Sequence, residues 1–320
     1  MLLDQKREHE AEELVRRALG GYRRAGQPLP EAPGPEWDPL DRGGAAPDPR
    51  EWYCLQGLGL ARLGTGRREQ AVAILEEALA LCIADKGPDY PEVGVTQINL
   101  AIAYWDLDRL EEAYATAHGA LGRLQASLGE AELRTIQTRI VLGGVCTGTG
   151  RLAEAEEHFS AGLDGALQRA AGDDVEPWLR FLLAMALRRQ EREEAEAALR
   201  EAWSTLRRAP GADHWKTLRC ADRLGELLLE QGRLEEAEIV FRETVLRRRA
   251  HGGAPTRGFL GSLEHLALAV FGQGRLAEAE PLARELALAT PERSARYAVR
   301  AQLLDSVSRA ACEPGSRGDR

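Results

Sequence analysis

The side chains that could do chemistry in this sequence are six histidines, five cysteines and many paired acids. The histidines are scattered, at His9, His118, His158, His214, His251 and His265. The cysteines, at Cys54, Cys82, Cys146, Cys220 and Cys312, form no C-x-x-C pair and no cluster with histidine at metal-ligand spacing. The motifs G-x-S-x-G, H-E-x-x-H and G-x-x-x-x-G-K-[ST] are all missing. The sequence therefore predicts no catalytic residue, no metal site and no cofactor.

Two features come closer to a catalytic grouping. His214 follows Asp213, which suggests a general base, but the pair lies at an inter-helix turn where such side chains commonly cap a helix. The paired acids occur in phrases such as "LEEAE" at 234–238, where glutamates open a predicted helix at its positive end. We expect capping and solvated roles for both. The alternative is an enzyme whose catalytic residues converge from separate parts of the chain.

The acidic phrases recur at a fixed spacing. Each contains one alanine, and these anchor alanines are Ala71, Ala113, Ala155, Ala195, Ala237 and Ala279. Successive residue numbers differ by 42, 42, 40, 42 and 42. Thirteen residues before each alanine is an anchor leucine, at Leu58, Leu100, Leu142, Leu182, Leu224 and Leu266. A period of this length predicts a solenoid built from supersecondary units.

The pattern of residues within each repeat predicts two helices joined by a tight turn. The turn residue lies five before the alanine, at Gly66, Asp108, Gly150, Gln190, Gly232 and Gly274. In the second helix apolar residues recur at i, i+4 and i+7, as in Ala237, Phe241 and Thr244. We expect the anchor leucine and the small residue after it to meet the alanine. The fourth unit departs from the pattern, with Leu183 at the small position and no glycine at its turn.

This pattern resembles the tetratricopeptide repeat, usually about 34 residues long, and in particular the 42-residue form of kinesin light chains. The segment "GPDYPEVGVTQINLA" (87–101) carries both the Gly-x-Asp-aromatic-Pro and the "NLA" phrases of that form, and "GADHW" (211–215) carries the first. Asp89, with the proline and glutamate that follow it, is predicted to cap the next helix. The resemblance implies an all-α, right-handed α-solenoid of about six antiparallel helix pairs, a TPR superhelix, over 51–290.

The resemblance also implies a concave groove lined by the first helices. With each anchor leucine counted as position seven, positions two, five, nine, twelve and thirteen face this groove, and the "NLA" asparagine adds position six. The predicted groove residues are Tyr53, Gln56, Ile98, Asn99, Ile102, Trp105, Asp106, Gln137, Arg180, Arg188, Arg219, Asp222, Glu226, Glu230 and Glu264. The alternative for Trp105 is packing between repeats, and for Glu226 and Glu230 it is pairing along their own helix.

The ends of the chain differ from the repeats. Residues 1–50 predict a half-repeat helix followed by a Pro/Gly-rich loop. That helix is expected to cap the array or, alternatively, to form a docking or self-association surface. Residues 291–312 predict a C-terminal capping helix, and 313–320 predict a disordered tail.

Charge and composition limit the partners. The net charge of −9 argues against nucleic acid and anionic membranes as partners, and the longest apolar run, "FLLAMAL" at 181–187, is too short to span a bilayer. The charged N-terminus and the scattered cysteines suit the cytoplasm. The sequence predicts a cytoplasmic, non-catalytic protein-protein interaction scaffold or adaptor that binds a peptide or partner segment. The alternative is a regulator that responds to a peptide or small ligand.

Overall fold

The computed structural model of the chain describes residues 51–169, 175–250, 256–290, 305–307 and 309. Within these ranges it contains no strand, and its twelve longer elements are α-helices. They are α1 (Trp52–Gly64), α2 (Arg68–Lys86), α3 (Pro91–Asp106), α4 (Leu110–Leu128), α5 (Leu133–Thr149), α6 (Leu152–Leu167), α7 (Val175–Arg189), α8 (Glu194–Leu206), α9 (Trp215–Glu230), α10 (Leu234–Ala250), α11 (Arg257–Gly272) and α12 (Leu276–Ala289). A π-helical turn, Arg207–Gly211, follows α8. The predicted all-α solenoid is confirmed.

The chain forms two compact units, Met1–Ala171 and Gly172–Arg320. The first contains the pairs α1–α2, α3–α4 and α5–α6, and the second contains α7–α8, α9–α10 and α11–α12. In each unit the two helices of a pair pack together, and each second helix also packs on the first helix of the next pair. No pair buries its apolar face alone. The stacked pairs of the second unit share one core, and the buried side chains of the first unit form two clusters that both pack against Leu79.

The anchor alanines lie at the centre of this packing. All six are at most 3% exposed, and the stripe Ala237, Phe241 and Thr244 is buried as predicted. The small residue of the first helix, however, meets the side chain four residues after the alanine. A Cβ added to Gly59 would lie 2.6 Å from Leu75, and one added to Gly225 would lie 2.5 Å from Phe241. Where the small residue is glycine, the close approach of the two helices therefore depends on the missing side chain opposite a large apolar one.

The turns inside the pairs share a left-handed backbone. The residue five before the anchor alanine has positive φ in five turns, at Gly66, Asp108, Gly150, Gly232 and Gly274. In the fourth turn the left-handed residue is Glu191, with φ 57°, rather than the predicted Gln190. In the other five turns the anchor leucine lies eight residues before the left-handed residue. Counting back eight residues from Glu191 makes Leu183 the fourth anchor, and the buried Ala184 follows it at the small position. The assignment of Leu182 was wrong by one residue.

The two predicted caps have different outcomes. His214 is the N-cap of α9, and its Nδ1 accepts a hydrogen bond from the backbone N–H of Lys216 at 3.4 Å, so the capping role is confirmed. Asp89 does not cap α3, because the N-cap is Tyr90 and no side chain caps this helix. Glu92 instead pairs with Arg134 of the next repeat at 3.3 Å.

The predicted terminal segments lie largely outside the described residues. This holds for the half-repeat helix and loop over 1–50 and for the tail over 313–320. Of the predicted capping helix, 291–312, the structure describes residues 305–307 and 309 as helical. Val307 is fully buried in the core of the second unit.

Replacing Ala237 with leucine should lower the free energy of unfolding by about 1–3 kcal/mol, because a fully buried methyl position has no room for a larger side chain. Urea titration followed by circular dichroism measures this. Ala197→Leu, at an exposed position of α8, is the matched control and should change stability little. Equal stability of both variants would contradict the packing described above.

Candidate functional site

The described cysteines and acidic groups offer little reactive chemistry. Cys54, Cys82, Cys146 and Cys220 are free and buried. Burial raises the pKa of the Cys220 thiol to about 12, and burial followed by nearby acids raises the pKa of Cys82 to about 11. These thiols therefore stay protonated and weakly nucleophilic at neutral pH. Over the described ranges, no group of three or more His, Cys, Asp or Glu side chains is placed to hold a metal ion.

Position five of the first helices lies between repeats rather than in a groove. Gln56 donates a hydrogen bond from Nε2 to Oγ1 of Thr96, at position three of the next first helix, over 3.0 Å. Asp222 accepts one from Oγ of Ser262, again at position three of the next first helix, over 2.6 Å. The predicted groove residues Gln56, Ile98 and Glu264 are only 9%, 6% and 8% exposed. At these exposures the three side chains offer little surface to a partner, and a binding role for them stays a prediction.

Asp222 belongs to a partly buried polar network. Arg248 of α10 donates to both its carboxylate oxygens, at 3.0 Å to Oδ1 and 2.6 Å to Oδ2. The same guanidinium donates to the backbone carbonyl of Gly258 at 2.8 Å and contacts Ser262. Asp222 thus connects three successive helices, α9, α10 and α11, and its carboxylate is satisfied from within the chain.

Position twelve reaches across to positions nine and thirteen of the next first helix. In the first unit Trp105 lies on Gly144 and Gly148, and a methyl group added to Gly144 would overlap the indole ring. Trp105 therefore packs between repeats, which was the alternative for it, although 38% of its surface stays exposed. Gly144 and Gly148 thus form a notch on the next repeat that accommodates the indole ring.

The second unit uses the same geometry with charged residues. With Leu183 as the anchor, Arg188 occupies position twelve, and its guanidinium lies 2.6 Å from Glu230 and 3.6 Å from Glu226. Glu226 also pairs with Arg223, three residues earlier on α9, at 2.6 Å. Together with Arg223, the predicted groove residues Arg188, Glu226 and Glu230 form a group without net charge.

Arg180 is paired with two glutamates of its own helix pair. In the corrected register it occupies position four, and it pairs with Glu176 at 2.8 Å and with Glu201 of α8 at 2.7 Å. Its guanidinium is directed at the second helix of its own pair. It was given position five because it was counted from Leu182, and a binding role for it stays a prediction.

The other predicted groove residues of the first unit are accessible to different degrees. Tyr53 is 69% exposed, and Gln137 is exposed. Asn99 and Ile102 are partly buried. Asp106 is exposed and lies 3.5 Å from Arg68 in a surface ion pair. A binding role for these five residues stays a prediction.

The structure also brings the predicted groove residue Arg219 together with three residues that the sequence did not predict, Trp178, Trp215 and Lys216. These four residues are called here the tryptophan–arginine cluster. The two indole rings meet edge to face with centroids 5.2 Å apart. The ammonium of Lys216 lies 5.4 Å from the centroid of Trp178, and the guanidinium of Arg219 lies 6.0 Å from it. Counted from Leu183, Trp178 occupies position two, the same position as Arg219 in the next repeat.

The acids near this cluster have other partners. Glu176 pairs with Arg180, Asp213 pairs with Arg247 at 2.9 Å, and Asp222 pairs with Arg248. Arg219 is exposed and makes no ion pair or hydrogen bond with the residues that the structure describes. Trp215 is 55% exposed. The cluster thus presents a cation beside an accessible aromatic surface.

Replacing Asp222 with asparagine should cost about 1.5–3 kcal/mol of stability, because a charge-assisted hydrogen-bond pair to Arg248 is lost. Asp106→Asn removes a carboxylate from an exposed ion pair and should cost less than about 1 kcal/mol. Chemical denaturation of both variants tests the difference. If Asp222→Asn were as stable as the wild type, the network would not be the structural link described.

Comparison with known proteins agrees with this architecture. A family model described as "Tetratricopeptide repeat" matches residues 53–116, 92–168 and 175–249, and a second model with the same description matches 261–285. No curated protein matches the sequence at a significant level. Across the described residues, no helix is both long and apolar enough to cross a membrane.

Several solved structures have the same fold. A Signal Transduction ATPase with Numerous Domains protein from Pyrococcus horikoshii, described with a tetratricopeptide repeat sensor, gives a TM-score of 0.69 at 14% identity, over 82% of this chain and 40% of that one. The nearly identical TPR-like repeats attributed to a kinesin light chain of Podosopora anserina give 0.56 at 17% identity, over 65% and 99%. A Rap protein complexed with Competence and Sporulation Factor gives 0.56 at 15%, over 84% and 78%.

At these identities the solved structures show a shared fold and no more. The family models, in contrast, cover well over half of the 320 residues and coincide with the helix pairs described above. The chain belongs to the tetratricopeptide repeat family.

Proposed function

We propose that this protein is a non-catalytic scaffold that binds an extended segment of a partner protein or peptide along its first helices. The tryptophan–arginine cluster of the second unit is its main contact. Solenoid repeats of this kind present continuous surfaces suited to extended ligands. A Rap protein of similar fold has been solved with Competence and Sporulation Factor, which is consistent with this use of the fold.

The observation that carries the proposal is the state of Arg219. Its guanidinium is exposed and has no acidic partner in the described chain, while the neighbouring arginines Arg180, Arg188 and Arg248 are all paired. Most other described cations near the first helices of this unit are thus neutralised from within. Arg219 is available to a ligand and lies beside an aromatic pair.

The chemistry of the cluster selects the ligand. A guanidinium binds a carboxylate through two parallel hydrogen bonds, and Trp and Arg are the residues most enriched in interface hot spots. Trp215 offers an apolar surface that a ligand side chain would remove from water. The preferred segment therefore carries an acidic residue next to an apolar or aromatic one.

The same surface gives no support for catalysis. The described cysteines are buried with raised pKa values, and His214 beside the cluster is used as a helix cap. The free thiols among the described residues also suit a reducing compartment. We place the scaffold in the cytoplasm on that basis.

The experiment is selection of a random peptide library, displayed on phage, against the full chain. Enriched peptides are then synthesised and their binding is measured by calorimetry. Arg219→Glu and Trp215→Ala should each weaken binding by about tenfold or more, as expected for hot-spot residues. Arg257→Glu, which reverses another exposed arginine at the start of α11, is the matched control and should bind like the wild type.

The outcomes separate the candidate functions. Binding that is lost in Tyr53→Ala but kept in Arg219→Glu would move the site to the first unit and contradict the role of the cluster. Peptides that mass spectrometry shows to be cleaved or modified would contradict the non-catalytic proposal. A selected peptide that also changes the association of the chain with another protein would favour the ligand-responsive regulator.

A further inference from the structure

The connection between α8 and α9 is wider than an α-helical turn. α8 ends at Leu206, the π-helical turn Arg207–Gly211 follows, and α9 begins at Trp215 of the tryptophan–arginine cluster. Pro210 lies four residues after Leu206 and has no backbone N–H, so the carbonyl of Leu206 cannot receive the hydrogen bond that continues an α-helix. Gly211 has φ 123°, which residues with a side chain rarely adopt. π-helical turns are frequent at functional sites, and this one leads directly to the cluster.

A buried threonine closes this turn. Thr217, in the first turn of α9, is 1% exposed, and its Oγ1 donates to the backbone carbonyls of Gly211 at 2.6 Å and Leu206 at 3.0 Å. A hydroxyl has one proton, so the two carbonyls share it. This side chain therefore ties the end of α8 and the end of the π-helical turn to the start of α9.

The third repeat has a threonine at the same position without this contact. Thr135 and Thr217 each lie seven residues before their anchor leucines, Leu142 and Leu224. Thr135 is also fully buried, but its Oγ1 has no hydrogen-bond partner among the described residues. The connection that precedes it runs from α4 through Gly129 to α5 and contains no π-helical turn. The hydrogen bonds of Thr217 therefore belong to the turn before α9 and are not a general property of this repeat position.

Thr217 and Trp215 lie on opposite faces of the first turn of α9. Residues two apart on a helix are about 200° apart around its axis, and accordingly Thr217 is buried while Trp215 is exposed. A hydrogen bond that fixes the inner face of this turn also fixes the direction of the indole on the outer face. The edge-to-face contact of Trp215 with Trp178 depends on that direction, and Arg219 follows one helical turn later on the same face.

Two ion pairs to α10 also hold this connection. Asp213 pairs with Arg247 at 2.9 Å, and Arg207 pairs with Glu243 at 3.2 Å. These side chains are partly exposed, and ion pairs in contact with water stabilise little. The hydrogen bonds of Thr217 are shielded from water, so they are the contact that fixes the start of α9.

We propose that Thr217 is a positioning residue for the ligand-binding surface, because its hydroxyl orients Trp215 against Trp178 beside Arg219. This role rests on the proposed function for its ligand, whereas the orientation of the two indoles can be measured without one. Thr217 is buried and does not itself contact a ligand.

The test combines a spectroscopic signal with binding. Indole rings 5.2 Å apart couple their electronic transitions, and the part of the indole circular dichroism that is lost in Trp215→Phe measures this coupling. Thr217→Val keeps the shape of the side chain but removes the hydroxyl. It should lose most of the coupling signal and bind the peptides selected against the full chain about fivefold more weakly, the equivalent of one net hydrogen bond. Thr217→Ser, which keeps the hydroxyl, should retain both.

Thr135→Val is the matched control, since it removes a buried hydroxyl from the same repeat position, and it should retain the coupling signal and the affinity. Thermal melting of each variant verifies that it is folded. If Thr217→Val does not fold, Asp213→Asn, which weakens an ion pair of the same connection, should reduce the coupling signal in the same direction. An unchanged signal in that variant would then overturn the proposal.

The remaining outcomes separate this role from the proposed function. A folded Thr217→Val variant with unchanged coupling, or an equal loss in Thr217→Ser, would overturn the positioning role. If Thr217→Val lost the coupling but bound like the wild type while Arg219→Glu did not, the cluster would remain the binding site and the positioning role would be wrong. If Arg219→Glu also bound like the wild type, the proposed site itself would have failed.

Discussion

The structure depends on the close approach of two helices where the first carries a glycine or an alanine. Gly59, Gly143 and Gly225 each lie against the side chain four residues after an anchor alanine, which is Leu75, Phe159 or Phe241. Because these contacts set the spacing inside a pair, they also set which residues of the first helix reach the following pair. At the junctions where contacts between repeats can be compared, one in each unit, the same positions meet although their chemistry differs.

That uniformity explains how the surface of each unit is used. Position five contacts position three of the next first helix. The amide of Gln56 meets the hydroxyl of Thr96 in this way, and the carboxylate of Asp222 meets the hydroxyl of Ser262. Position twelve lies across positions nine and thirteen, as an indole on glycines or a guanidinium on glutamates. Polar residues used in this way hold repeats together, and few remain for a ligand. Arg219 is conspicuous for this reason, since neither contact involves it.

The helix pairs could be predicted from the sequence because spacing alone identifies them. All six anchor alanines are buried, as expected for residues of an apolar helical stripe that faces the core. The predicted register of the fourth repeat was off by one residue, because the count assumed the same spacing between turn and anchor alanine in every repeat. The left-handed residue of that turn is Glu191 and not Gln190. The functional surface was harder to predict, because position numbers say nothing about the neighbour that a side chain meets. Trp215 was missed because it begins its helix, before the counted positions.

The notch that receives Trp105 has a consequence for how such arrays can change by duplication. The indole belongs to one repeat, but the glycines that make room for it, Gly144 and Gly148, belong to the next. A copied repeat that carried its tryptophan forward would meet a neighbour without that space unless the following repeat were copied too. A junction of this kind is thus built from residues of two neighbouring repeats. Exchange of a single repeat therefore alters the junctions on both of its sides.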